Sequence, residues 1–136
     1  MGYESKIVIV EHLPHAKFDD DKKLFAEKIV EVRMSKMGGR PSCFARETDL
    51  YYYMDDGNTQ VLEDKYDEPL RECEIPELYK WLLETMERDR DAATYRRCDL
   101  LKGVLESFGE VHKTDHGQWL ELKPKWKYVR ALHYGY

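Results

Sequence analysis

The sequence predicts an α+β fold: an antiparallel sheet of about five to six strands, with two helices inserted before the last strands. Three observations carry this. Asp56-Gly57 lies between two β-prone runs, and a type I′ turn needs positive φ at both central positions, which makes Asp-Gly a strong hairpin signal. Apolar residues then change to helical spacing in two successive segments. Strand-like, aromatic-rich sequence returns near the C-terminus. Residues 1–136 read as a single globular domain.

The elements follow in order. Lys6-Ile7-Val8-Ile9-Val10 is apolar on both faces, as expected of a buried central strand, and His12-Leu13-Pro14-His15 breaks it. Residues 18–27 suit a short helical turn or an ordered loop. From Lys28 the period is two, with Val30, Val32 and Met34 alternating against Glu31, Arg33 and Ser35, and Gly38-Gly39-Arg40-Pro41 ends that strand. With Asp56-Gly57 at the tip of the hairpin, Met54 faces Thr59, Tyr52 faces Val61 and Leu50 faces Glu63. Tyr51 and Tyr53 then lie on the other face, across from Leu62 and Gln60. Tyr66-Asp67-Glu68-Pro69 is a further turn, and Leu70 to Cys73 extends the sheet. Pro76 and Glu77 suit the first turn of a helix whose stripe is Leu78, Leu82 and Met86, with Trp81 beside it. The polar run 87–91 separates it from a second helix with Cys98, Leu101, Leu105 and Phe108 at helical spacing and Gly109 as its C-terminal cap. Residues 119–122 and 126–133 are two strands joined near Pro124.

Composition excludes several classes. The chain is 42% hydrophobic and 12% aromatic, so it can bury a real core, and its 36% of charged residues implies a heavily solvated surface. A net charge of −5 argues against general nucleic-acid binding and falls short of the acidic density of a DNA mimic. The polar start predicts no signal peptide, and no apolar stretch is long enough to span a membrane. Three cysteines, Cys43, Cys73 and Cys98, stand far apart with no CxxC pair, which suits free thiols in a reducing cytoplasm.

Tyr53-Met54-Asp55-Asp56 spells the metal-binding box of reverse transcriptases. Two-metal phosphoryl transfer needs a further carboxylate and surfaces for primer and template, which one domain of this size does not offer, so the letters read as hairpin. His12 and His15, with Asp19-Asp20-Asp21 nearby, are metal candidates and would serve a metal-dependent phosphoesterase or nuclease-like enzyme. Pro14 keeps the two rings off a common helical face, so no metal and no cofactor is assigned. His112 and His116, bracketed by Gly109 and Gly117, read as loop. Cys98 reads as core, Cys73 sits among acids that suppress its thiolate, and Cys43, near Arg40 and Arg46, is the most plausible reactive thiol. No catalytic residues emerge.

The C-terminal segment offers a binding surface. Lys123, Lys125, Lys127 and Arg130 interleave with Trp126, Tyr128 and Tyr134. In an extended strand Trp126, Tyr128, Arg130, Leu132 and Tyr134 share a face, where aromatics can stack bases and cations can pair phosphates. Arg96 and Arg97 add charge if they face the sheet, and Tyr51 and Tyr53 need covering by helices, a partner or a ligand. The competing reading is a core-facing aromatic row with lysines protecting an edge. Acidic runs at 19–21, 63–64 and 67–68, with Glu72, Glu74 and Glu77, form a negative rim suited to docking a basic protein.

Several stretches together resemble the small accessory proteins of bacteriophages and prophages: Met1-Gly2-Tyr3-Glu4-Ser5-Lys6, Asp55-Asp56-Gly57-Asn58-Thr59, Asp64-Lys65-Tyr66-Asp67-Glu68-Pro69-Leu70, Tyr95-Arg96-Arg97 and Tyr134-Gly135-Tyr136. The resemblance implies a bacterial cytoplasm and action on a host process, and brings no catalytic residues. The expectation is a non-enzymatic binding protein that inhibits a host or defence factor or sequesters a small nucleotide. The alternatives are the metal-dependent enzyme and a structural subunit of a homo-oligomer.

Overall fold

The computed structural model describes residues 5–17, 24–34, 41–53, 60–63, 69–89 and 91–135. Along these run β1 (Ser5–Lys17), β2 (Leu24–Arg33), β3 (Arg46–Glu47), β4 (Leu50–Tyr53), β5 (Gln60–Val61), β6 (Arg71–Glu74), α1 (Ile75–Arg88), α2 (Ala92–Glu106), β7 (Gly109–Thr114), β8 (Gly117–Leu122), a 3₁₀ turn (Pro124–Trp126) and β9 (Val129–Gly135). The fold is α+β. Among the described residues, seven strands form the main sheet in the order β3-β6-β9-β1-β2-β4-β5, and β7 with β8 forms a separate hairpin.

β1 is central because both of its faces are apolar. Ile7, Val8, Ile9 and Val10 are all fully buried, and they divide two cores. Ile7 and Ile9 join Cys73, Val129 and Ala131 under the helices, where Leu78, Leu82, Leu101 and Leu105 pack. Each such aliphatic side chain contributes about 1.5–3 kcal/mol through burial. Val8 and Val10 point the other way, to Leu50, Tyr52, Val61, Leu70, Leu132 and Tyr134. Among the described residues no helix covers this second core; the sheet curls over it. Leu70 closes the curl, since its N–H donates to the Leu62 carbonyl at 2.8 Å and its carbonyl accepts from Thr48 N–H at 2.9 Å.

The hairpin register is as the sequence predicts: Tyr52 pairs with Val61 and Tyr53 with Gln60. The Asp56-Gly57 tip itself lies outside the described residues, as do the Gly38-Gly39 and Tyr66-Asp67 turns. The first helix starts at Ile75 with Pro76 in its first turn, as expected, and Asp91 caps the second by accepting from the Thr94 N–H at 3.1 Å.

Several expectations need correction. The sheet is mixed rather than antiparallel, because β2 and β4 run parallel through Leu24↔Leu50 to Ala26↔Tyr52. The chain between them visits the far edge as β3, against β6, so β4 returns by a crossover and not by a hairpin. Pro14 does not end β1. The strand continues to Lys17 with its register shifted between His12 and Lys17, an irregularity that tolerates a proline. Residues 24–27 are strand, not helix or loop. Gly109 opens β7 instead of capping α2, whose C-cap is Ser107. A Cβ at Gly109 would strike the Glu121 carbonyl, so this position needs glycine for close strand approach. His112 consequently lies on a strand.

Candidate functional site

The predicted row forms only in part: Arg130, Leu132 and Tyr134 share the curled side of the sheet, and Trp126 departs from it. Trp126 ends a 3₁₀ turn and packs edge-on against Phe108 at 5.1 Å, on the helix-covered side of the sheet. Arg130 lies opposite Val10, on the curled side. Proline at 124 accounts for the difference, because it starts a tight turn that interrupts the extended run before β9. Tyr128 does share the Arg130 side, where its ring meets that of His12 edge-on at 5.0 Å. Lys127 and Lys125 stand over the Tyr128 and Trp126 rings, each at 5.0 Å.

Around Arg130 the strands assemble a charged cluster at the mouth of the curled sheet. Arg130 Nη1 donates to both carboxylate oxygens of Glu72, at 3.2 and 3.0 Å, and lies 3.8 Å from Asp49. Arg46 reaches Glu72 at 3.6 Å and Glu74 at 3.4 Å. Glu72 is only 5% exposed, so its charge depends on these two guanidiniums. Burial pushes the His12 imidazole down, and the Arg130 cation pushes it further in the same direction. His12 Nδ1 is buried without a hydrogen-bond partner. His15 lies on β1 with its side chain outside the described residues, as are the three aspartates at 19–21. The remaining predicted residues are dispersed. Arg97 Nη1 donates to the Arg33 carbonyl at 3.1 Å. Arg96 lines a shallow depression on α2 with Tyr95 and Asp99. Tyr51 is half-buried on β4, and the Tyr53 side chain is outside the described residues.

On the separate hairpin, Glu110 lies directly opposite Glu121, and their carboxylates and the His112 imidazole all fall within 4.8 Å of one another. These are ligand types for a divalent ion. Both carboxylates are exposed, and His112 already stacks on Trp119 at 5.1 Å and lies 3.5 Å from Glu121.

The third region is apolar. A groove of about 640 Å³ runs between β2 and α2, lined by Ile29, Val30, Leu100, Val104, Phe108 and Trp126 among others. Leu100 is 63% exposed and Ile29 39% exposed. Contiguous exposed side chains of this size mark interaction sites more often than chance solvent-facing residues. The groove also borders an open strand edge. On its outer side β2 has a strand neighbour only over Leu24–Ala26 among the described residues. On its inner side Met34 N–H donates to the Ser5 carbonyl, which fixes the ladder phase with β1. By the alternation of antiparallel pairs, Val32 and Val30 bond inward, and Glu31 and Arg33 aim their backbone groups outward. The Arg97 bond to the Arg33 carbonyl agrees with that direction. Glu31, nearest the groove, keeps an outward N–H and C=O.

No family model, curated protein or solved structure matches this chain. Function therefore rests on these surfaces alone. Of the groove residues the sequence singles out Trp126 as a binding candidate but neither Ile29 nor Leu100, although Leu100-Leu101 carried a signal. Adjacent helical positions are turned about 100° from one another, so only one of the two leucines can face the core.

Proposed function

We propose that this is a non-enzymatic binding protein that captures an extended segment of a partner protein by strand addition to the outer edge of β2. The observation that carries the reading is the outward backbone of Glu31 lying beside the groove that Ile29 and Leu100 leave uncovered. Main-chain hydrogen bonds to an open edge supply affinity in such recognition, and pockets for alternate side chains supply specificity. The partner segment would be extended, with apolar residues at alternate positions to enter the groove. A natural sheet protects a bare edge unless something uses it. Nucleotide capture by Arg130 has less support, because Glu72 and Asp49 already claim that guanidinium. No helix among the described residues is long and apolar enough to cross a membrane.

The test is selection of a random peptide library against the immobilised protein. Enriched peptides should alternate apolar and polar residues, shift the amide signals of Ile29, Glu31 and Leu100, and slow hydrogen exchange at the Glu31 amide. Leu100→Asp should weaken their binding at least tenfold. Peptides that bind Leu100→Asp as tightly as the parent protein, or that leave the Glu31 amide unprotected, overturn the reading.

A further inference from the structure

The fold brings together two cysteines that the sequence holds thirty positions apart. Cys43 Sγ and Cys73 Sγ lie 3.9 Å from one another, with the Cys73 thiol donating toward Cys43. Cys73 is buried on β6, opposite Ala131 of β9, and Cys43 is half-buried in the turn that follows Pro41. The backbone on both sides is held. Ala45 N–H donates to the Cys43 carbonyl at 3.0 Å, Phe44 N–H to the Pro41 carbonyl at 3.1 Å, and Arg71 Nη1 to the Ala45 carbonyl at 3.0 Å. β3 then pairs with β6 through Arg46↔Glu72 and Glu47↔Arg71. The two sulfurs need approach by only about 2 Å to reach bonding distance, within the reach of side-chain rotation and a small shift of the turn.

We propose that Cys43 and Cys73 are a reversible disulfide pair that staples the turn before β3 to β6. The third cysteine stays out of the exchange, since Cys98 is fully buried in the helical core. The oxidant is a low-molecular-weight disulfide of the glutathione type. Cys43, the accessible member, attacks one sulfur of that disulfide as its thiolate. The small S–S bond breaks, and one small thiolate leaves. The Cys73 thiol then loses its proton to solvent, and its sulfur attacks the Cys43 sulfur of the mixed disulfide. The second small thiolate departs. The protein's two thiols are oxidised to one disulfide, and the small disulfide is reduced to two small thiols.

The order of attack follows from the surroundings. The contact with Cys43 holds the Cys73 thiol in its protonated form, burial reinforces this, and Glu77 and Glu74 add to it. Thiolate is the attacking species, so Cys43 enters first and Cys73 resolves. The staple would fix β3 against β6 and so hold Arg46 over Glu72 and Glu74, tightening the charged mouth of the curled sheet.

The experiment incubates the intact, reduced protein with oxidised glutathione, reads the thermal midpoint, then unfolds a second portion in the presence of an alkylating agent to trap remaining thiols and reads intact mass and linked peptides. The expected result is a loss of two hydrogens, a linked peptide joining Cys43 to Cys73, alkylation confined to Cys98, and a midpoint raised by roughly 5–10 °C, all reversed by dithiothreitol. Cys43→Ser should remove both the linkage and the midpoint shift, and Cys98→Ser should keep both. Cys73→Ala, chosen to preserve apolar packing, should stop the reaction with glutathione still attached at Cys43. A stable glutathione adduct on Cys43 of the parent protein, a linkage that includes Cys98, or thiols that stay free at a glutathione-disulfide excess overturns the proposal.

Discussion

At the mouth of the curled sheet, strong charges sit beside aromatics and are matched to one another; beside α2, two large apolar side chains border a bare strand edge and are matched to nothing among the described residues. Arg130, Arg46, Glu72, Glu74 and Asp49 form one connected set, with the most buried carboxylate between the two guanidiniums. Leu100 and Ile29 remain open to solvent. The contrast shows why residue type is a poor guide to a binding surface. Cations and aromatics look like ligand groups in a sequence, but a fold can use them up internally. A leucine looks like core until its helix turns it outward.

Substitutions at the two regions should therefore act in opposite ways. Glu72→Ala should have the largest effect on stability, about 3 kcal/mol, because it leaves Arg130 without its closest partner in a partly buried site. Urea unfolding measures this, and a cost near zero would mean that the mouth is solvated and free to bind. Trp126→Ala should cost about 2 kcal/mol through lost packing on Phe108, and should also widen the groove. Leu100→Asp should change stability by less than about 0.5 kcal/mol while removing peptide capture. A larger stability cost would place Leu100 in the core and erase the comparison.

A fourth prediction concerns what holds α2, and so the groove, in place. Tyr79 on α1 donates its hydroxyl hydrogen to Glu106 of α2 at 2.6 Å and accepts from Gln118 of β8. Burial, and then the bond to Glu106, push its hydroxyl up to about 12. The folded protein therefore resists ionisation that the unfolded chain undergoes. That contribution is fully present below pH 10 and is lost as pH rises towards 12. It amounts to on the order of 2 kcal/mol. Comparing the unfolding of the parent and Tyr79→Phe across this window isolates it, since the variant lacks the titration. Equal slopes for the two proteins would remove Tyr79 as the tie.

Much of the fold was legible where local chemistry and tertiary packing agree. The double-faced strand at Ile7–Val10, the Tyr52↔Val61 register and the two apolar helix stripes all follow from periodicity. What periodicity could not reveal was long-range. The parallel pairing of β2 with β4 depends on where β3 goes, and the β3–β6 contact spans residues with no local signal in common. The meeting of Cys43 and Cys73 is hidden for the same reason. At the candidate site, Tyr128, Arg130 and His12 were recognised as residues, but Glu72 was read as part of a solvated acidic rim. Its partner Arg130 is fifty-eight positions away, so the pairing that buries it leaves no trace in the neighbouring sequence.

The placement of β9 has a consequence for how the molecule comes into being. β1 finds one of its two neighbours in β9, with Ser5 against Gly135 and Glu11 against Val129. β6 relies on the same strand through Glu72↔Leu132 and Cys73↔Ala131. On a translating ribosome, β9 emerges after every other described strand. Until it does, the most apolar strand of the chain has one bare side, and the sheet lacks the strand that links β6 to β1. Closure is then a single late event in which one short segment zips β6 to β1. Such a chain completes its sheet only once β9 has emerged, and depends in the meantime on whatever shields a nascent hydrophobic strand.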